Sequence, residues 1–140
     1  MKKIVTGLVA VIAAVVGASA AVAGGHAPAK SASLSIVHVQ KGCHVWVEDG
    51  KQSADLRIPL ARGGRLSVLN QDIDGHKLVE VAGPVKLKLP TSMQMNGRMI
   101  LTFPMAGVYQ LDTSTFQLKG MPDVRTTGAD NVLRLTVVVG

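Results

Sequence analysis

Cysteine and aromatic residues are scarce in this chain of 140 residues, which has one Cys, one Trp, one Tyr and two Phe. A single cysteine excludes a disulfide within the chain. The formal net charge is +6, but the basic residues are scattered and few aromatic side chains are available to stack on bases. A nucleic-acid-binding protein usually has both a basic patch and such side chains. We therefore expect no nucleic-acid partner.

The motifs of the common enzyme classes are also absent. The sequence has no G-x-S-x-G, H-E-x-x-H or C-x-x-C, and neither a P-loop nor a dinucleotide-binding glycine fingerprint. Asp72 and Asp74 are close in sequence, but they lie in a segment that leads to His76. We interpret them as loop structure rather than as an acid–base pair, and we predict that the protein is not an enzyme.

Residues 1–23 have the features of a secretory signal peptide. Lys2 and Lys3 precede the apolar run IVTGLVAVIAAVV, and small residues offer cleavage after Ala20 or Ala23. The run is shorter than the span of about 20 residues that a membrane helix needs. An uncleaved N-terminal anchor is the alternative. We expect a bacterial protein that is periplasmic or secreted and has no membrane span once the signal is removed.

The rest of the chain has the pattern of a β protein. Residues 24–33, GGHAPAKSAS, are predicted to be a flexible mature N-terminus, and residues 34–140 a single domain. Apolar and polar residues alternate in short runs between Gly, Pro, Asn and Asp, which predicts an all-β antiparallel sandwich or small barrel. The predicted strands are 34–40, 44–48, 55–60, 65–69, 77–81, 85–89, 99–103, 107–112 and 131–139.

One segment resembles a known family. Residues 63–81, GGRLSVLNQDIDGHKLVEV, combine a glycine turn, a strand, Asn, a loop, His and a second strand. This pattern resembles the cupredoxins, small copper-binding Greek-key β-sandwiches such as plastocyanin. The resemblance implies that His76 is a copper ligand and that Asn70 and Asp72 hold the loop and orient His76.

A second cupredoxin pattern, G-x-Y-x-[FY]-x-C-x-x-H-x-x-x-x-M, is kept only in part in the segment GVYQLDTSTFQLKGM. Gly107 and Tyr109 match, and Met121 stands at the methionine position. Thr113 and Phe116 stand where the family has its cysteine and its second histidine. The usual thiolate and one imidazole are therefore missing from this loop.

The two missing residue types occur side by side in HVQKGCHVW, residues 38–46. The combination GCHVW…NQDIDGHKLVE…DNVLRLTVVV resembles an exported bacterial subgroup of cupredoxin-like proteins with a Cys-His-x-Trp motif. The resemblance implies a rearranged copper site with ligands Cys43, His44, His76 and Met121. Thiolate and thioether suit copper(I), and imidazole suits both oxidation states.

The residues around Cys43 leave alternatives open. Cys43 is also consistent with a buried inert side chain or with an intermolecular disulfide. Neighbouring residues in a regular strand point to opposite faces, so Cys43 and His44 share one ion only if the chain bends, for example at Gly42. If the strand is straight, His38 is the replacement candidate.

Two further patterns are consistent with copper. Met93, Met95 and Met99 form a cluster in TSMQMNGRM, which either binds copper(I) or fills the core. Cleavage after Ala23 would leave the mature start Gly-Gly-His, in which His26 completes a nitrogen set suited to copper(II).

The sequence thus predicts an exported copper-binding protein. It would either carry electrons or handle copper, with a redox or copper-delivery protein as partner. The alternative is a metal-free cupredoxin-like sandwich that serves as a protein-interaction module, because the family's cysteine and second histidine are replaced in the C-terminal loop.

Overall fold

Eight β-strands form the regular secondary structure in the computed structural model, which describes residues 27–39, 44–116 and 132–140. The predicted all-β fold is confirmed, and no helix occurs in these ranges. In chain order the strands are β1 (Ala29–His38), β2 (His44–Glu48), β3 (Lys51–Ser53), β4 (Asp55–Asn70), β5 (Gly75–Ala82), β6 (Arg98–Thr102), β7 (Gly107–Phe116) and β8 (Arg134–Val139).

Strand β4 belongs to both layers of the sandwich. Its residues 55–60 pair in parallel with β8, whereas residues 65–70 pair in parallel with β1 and residues 65–69 pair antiparallel with β6. The remaining pairings are antiparallel, and the strand order is β3-β2-β1-β4-β8-β7-β5. Because β4 changes partners along its length, the sheet folds over on itself between residues 60 and 65.

The sheet folds over at a pair of glycines in β4, Gly63 and Gly64. The sequence predicts a turn at Gly63-Gly64 that separates two strands, but the structure has one continuous strand that bends there. Gly63 has φ +74°, which favours glycine. A Cβ on Gly64 would lie 2.6 Å from the carbonyl oxygen of Ala61 and 3.3 Å from that of Lys30. The bend therefore requires a residue without a side chain at position 64.

We expect Gly64→Ala to lower the free energy of unfolding by about 1–3 kcal/mol, the usual cost of overpacking a tight site. Urea denaturation followed by circular dichroism measures the change. Gly140→Ala is the matched control, since a Cβ at Gly140 meets nothing within 4 Å. Equal midpoints for the two variants would show that the bend has room for a side chain.

The core lies between the two layers and is formed by the alternate residues of each strand that face inward. In β8, Leu135, Val137 and Val139 are buried while the residues between them are more exposed. Trp46 is fully buried on β2, and its indole Nε1 donates a 2.9 Å hydrogen bond to the carbonyl oxygen of Arg134. This bond joins β2 to the start of β8, across the interior.

Two local predictions differ from the structure, and one short strand was not predicted. Strand β1 begins at Ala29, so residues 29–33 of the predicted flexible N-terminus are paired with β4. Residues 85–89 are not a strand, although Leu87 is buried and its amide donates to Glu80 Oε2 at 2.8 Å. Their alternation reflects burial of one face without a β-ladder. The short strand β3 was not predicted. Asp49 and Gly50, which join it to β2, have φ 47° and 77°, as in a two-residue hairpin turn.

Candidate metal centre

Two of the candidate histidines lie opposite each other on β1 and β2. His38 and His44 are paired across this antiparallel ladder, so their side chains lie on the same face. That face is the inner one, since Ile36 and Trp46 on it are fully buried. The His44 residue is 1% exposed, whereas the side chain of His38 is 30% exposed. His38 therefore lies on the solvent side of His44.

A tight loop after β4 presents the acidic residues. Asn70 is buried, and its Nδ2 donates to the carbonyl oxygens of Asp74 at 2.7 Å and of Met93 at 3.2 Å. Its Oδ1 accepts a 3.0 Å hydrogen bond from the amide of Asp72. Asn70 thus holds both ends of the loop, which directs the Asp72 side chain into the interior.

The third histidine follows on β5. His76 is fully buried, and its backbone exchanges hydrogen bonds of 2.9 and 2.7 Å with Met93. The ring centroids of His76 and His44 are 4.7 Å apart, with the rings at 74°. Strands β2 and β5, which are near opposite ends of the strand order, therefore meet at these two rings.

All three imidazoles approach the carboxylate of Asp72. Its Oδ2 is 2.9 Å from His76 Nε2 and 3.6 Å from His44 Nδ1. Its other oxygen, Oδ1, is 3.2 Å from His38 Nδ1. Asp72 is fully buried, so this carboxylate is surrounded by ring nitrogens rather than by water.

These neighbours set the charge of Asp72. Burial on its own raises the pKa of this carboxyl, but the hydrogen bond and charge of His76, the Asp74 amide and His44 outweigh burial. The pKa of Asp72 therefore lies below its usual value, and the group is a carboxylate at neutral pH. Asp74, in contrast, has a raised pKa because of burial and the charge of Asp72.

Two buried polar atoms next to this cluster have neither a hydrogen-bond partner nor an ion-pair partner among the described residues. They are Nδ1 of His76 and Oδ2 of Asp74. Buried polar atoms are normally paired, and exceptions need an explanation such as a bound water or ion. The other ring nitrogen of His44 is placed differently, since its Nε2 lies 3.5 Å from the hydroxyl of Thr115.

The donor atoms fit a metal ion. One ligand atom each from His44, Asp72 and His76 lies within 4.8 Å of the others. Metal bonds of about 2.0–2.2 Å to nitrogen and oxygen place neighbouring ligand atoms about 3–3.5 Å apart. The Asp72 Oδ2 distances to His76 and His44 lie close to this separation. A metal-binding His usually has its other ring nitrogen on an oxygen, as Thr115 provides for His44, whereas Nδ1 of His76 has no such partner among the described residues.

The structure brings together part of the predicted ligand set. His44, His76 and the candidate replacement His38 converge with Asp72, while Asn70 holds the loop. Asp72 was predicted only to orient His76, and its i, i+4 spacing from His76 was the one local signal of a direct contact. The approach of Thr115 had no sequence signal, because it lies 71 positions from His44.

The methionine candidates are separated by burial. Met93 and Met99 belong to the core, with 2% and 1% exposure, whereas Met95 is 44% exposed. The three therefore do not share one environment. Cys43, Met121 and His26 lie outside the described residues, as does the predicted signal peptide.

Thr113, which stands where the cupredoxin pattern has its cysteine, has a structural role. Thr113 is buried, and its hydroxyl accepts a 2.8 Å hydrogen bond from the amide of Leu133. The Thr113 amide in turn donates to the Leu133 carbonyl at 2.9 Å. Thr113 thus fastens β7 to the segment before β8.

Across the ranges that the structure describes, no helix is long and apolar enough to cross a membrane.

Comparison with solved structures returns cupredoxins. A proline-to-glycine variant of amicyanin in its reduced Cu(I) form at pH 4 is 23% identical, with 79% of this chain and 82% of that chain covered and a TM-score of 0.44. A purple cupredoxin from Nitrosopumilus maritimus is 16% identical, with 76% and 98% covered and a TM-score of 0.44. No family model and no curated protein matches the sequence.

Proposed function

We propose that this chain is an exported copper-binding protein whose site is built around His44, Asp72 and His76. The observation that carries the proposal is the convergence of buried imidazoles on one buried carboxylate. Imidazole is a good ligand for copper, and copper(II) binds a given nitrogen–oxygen site more tightly than the other divalent first-row ions do. The resemblance of the His76 segment to the cupredoxins supports the same ion.

The position of the site supports binding rather than catalysis. His44, Asp72 and His76 are each at most 1% exposed, so the ion would be enclosed by protein. His38, which is partly exposed and contacts Asp72, lies between this group and solvent. An enclosed ion suits a protein that handles copper. A copper-delivery or redox protein is the partner that we propose.

Titration of the purified mature protein with copper(II), copper(I) and zinc(II), followed by metal analysis, tests this function. A His26→Ala background removes the N-terminal copper(II) set that cleavage after Ala23 would create. We expect one copper per chain and a copper-dependent rise in the melting temperature, because an ion that binds only the folded state stabilises it.

In the same background, we expect His76→Ala to weaken copper binding by at least tenfold, since it removes a ligand nitrogen. Circular dichroism of the metal-free variant checks its fold, and His44→Gln is the second variant if His76→Ala does not fold. Gln71→Ala, which changes an exposed side chain in the same loop, is the control. A protein that binds copper in neither oxidation state would contradict the proposal and favour the interaction module.

A further inference from the structure

We propose, on the basis of this copper-binding function, that Asp72 is itself a ligand and that the site is a nitrogen–oxygen site for copper(II). The protein would then hold oxidised copper rather than cycle it between two states at a thiolate centre. This assignment replaces the anionic ligand that the sequence predicts, the Cys43 thiolate, with a carboxylate.

The two oxygens of Asp72 have different surroundings. Oδ1 lies 3.5 Å from the amide of Asp74 and 3.2 Å from His38 Nδ1. Oδ2 forms a 2.9 Å hydrogen bond with His76 Nε2 of β5 and lies 3.6 Å from His44 Nδ1 of β2. Oδ1 thus faces its own loop and His38, whereas Oδ2 faces the two buried imidazoles. An ion bound between Oδ2 and His76 Nε2 would replace the proton of their hydrogen bond.

The Asp72 carboxylate is fixed rather than free to swing away. Its backbone amide is held by Asn70 Oδ1 at 3.0 Å, and Asn70 is itself fixed by the carbonyls of Asp74 and Met93. The side chain is fully buried, so rotation out of the cluster would have to displace core atoms. An ion that binds His44 and His76 would therefore meet this oxygen in its first coordination shell.

The donor chemistry selects the oxidation state. A carboxylate is a hard anionic ligand that suits a divalent ion, whereas copper(I) prefers soft thiolate and thioether ligands. Among the described methionines, Met93 and Met99 are core residues and Met95 is exposed on a turn. Two imidazoles and a carboxylate in a buried site therefore stabilise copper(II) relative to copper(I).

Absorption and electron paramagnetic resonance spectra of the copper(II)-loaded full mature chain, in the His26→Ala background, test the inference. We expect only weak visible bands and the wide hyperfine splitting of a nitrogen–oxygen site. Asp72→Asn should weaken copper(II) binding by at least tenfold and copper(I) binding by much less. The matched control is Asp49→Asn, which removes a charge in an exposed turn and keeps a residue suited to positive φ.

The possible results separate the two proposals. An intense visible band that disappears in Cys43→Ser would overturn the carboxylate site while leaving copper binding in place. Equal copper(II) affinity of Asp72→Asn and Asp49→Asn would do the same, provided that circular dichroism shows both folded. If Asp72→Asn does not fold, Asp72→Glu provides the second variant, and an unchanged copper(II) spectrum for it would count against direct ligation at this fixed position. Absence of bound copper in the His26→Ala background would overturn both proposals.

Discussion

The Val68→Asp variant will be strongly destabilised at neutral pH and 25 °C. Val68 is fully buried in β4, where it pairs with Leu34 of β1 on one side and with Met99 of β6 on the other. A carboxylate there would have no buried partner of opposite charge, and such a group costs several kcal/mol. Because a domain of this size is stable by only about 5–15 kcal/mol, we expect a loss of at least about 4 kcal/mol.

Far-UV circular dichroism and urea denaturation measure this effect. Ile100→Asp is the control, since it places the same charge on β6 at a side chain that is 58% exposed. We expect the control to lose about 1 kcal/mol or less, through strand propensity alone. A soluble Val68→Asp protein with the midpoint of the control would show that β4 does not lie in the interior.

Asn70→Ala is expected to have the second-largest effect on stability. The Asn70 side chain bonds to three buried backbone groups: the carbonyls of Asp74 and Met93 and the amide of Asp72. An unsatisfied buried polar group costs about 1–3 kcal/mol, and a small cavity adds to this. Since the three contacts share one side chain and are not additive, we expect a total loss of about 2–4 kcal/mol.

The same substitution should also weaken copper binding, because Asn70 holds the loop that carries Asp72 but does not itself approach the ring nitrogens. Denaturation of the metal-free protein gives the stability, and a copper(II) titration of the folded variant gives the affinity. Gln71→Ala, the neighbouring exposed residue, should change neither quantity appreciably. If Asn70→Ala and Gln71→Ala unfold at the same urea concentration, the loop is held by backbone contacts instead.

The strands could be predicted because burial on one face of a strand leaves a period of two in the sequence. The pattern of β8, with Leu135, Val137 and Val139 inside, is of this kind. The course of β4 could not be predicted in the same way. Gly63-Gly64 gives the same local signal whether the chain reverses or bends, and only pairing with β1, β6 and β8 decides between them.

The residues of the candidate site also fall into two groups: those that a local motif places together and those that only the fold brings together. His76, Asp72 and Asn70 are close in sequence, so a local motif could place them in one loop. The arrival of His38 and His44 depends on β2 being brought over β5 by the fold-over of the sheet, which no local pattern contains. Sequence patterns could therefore point to the histidines, but not to the position of Asp72 beside His44 in space. The predicted Cys43 thiolate lies outside the described residues and stays a prediction.

The contact between β2 and β5 has a mechanical consequence. These strands lie near opposite ends of the strand order, and at this end of the sandwich His44 and His76 meet around Asp72. An ion held by these residues would link the two layers and keep one end of the sandwich closed. Release of the ion would then require the two layers to separate, so the rate of release would follow the rate of that separation. A recipient protein that separates the layers when it binds would therefore obtain the metal faster than a small chelator in solution.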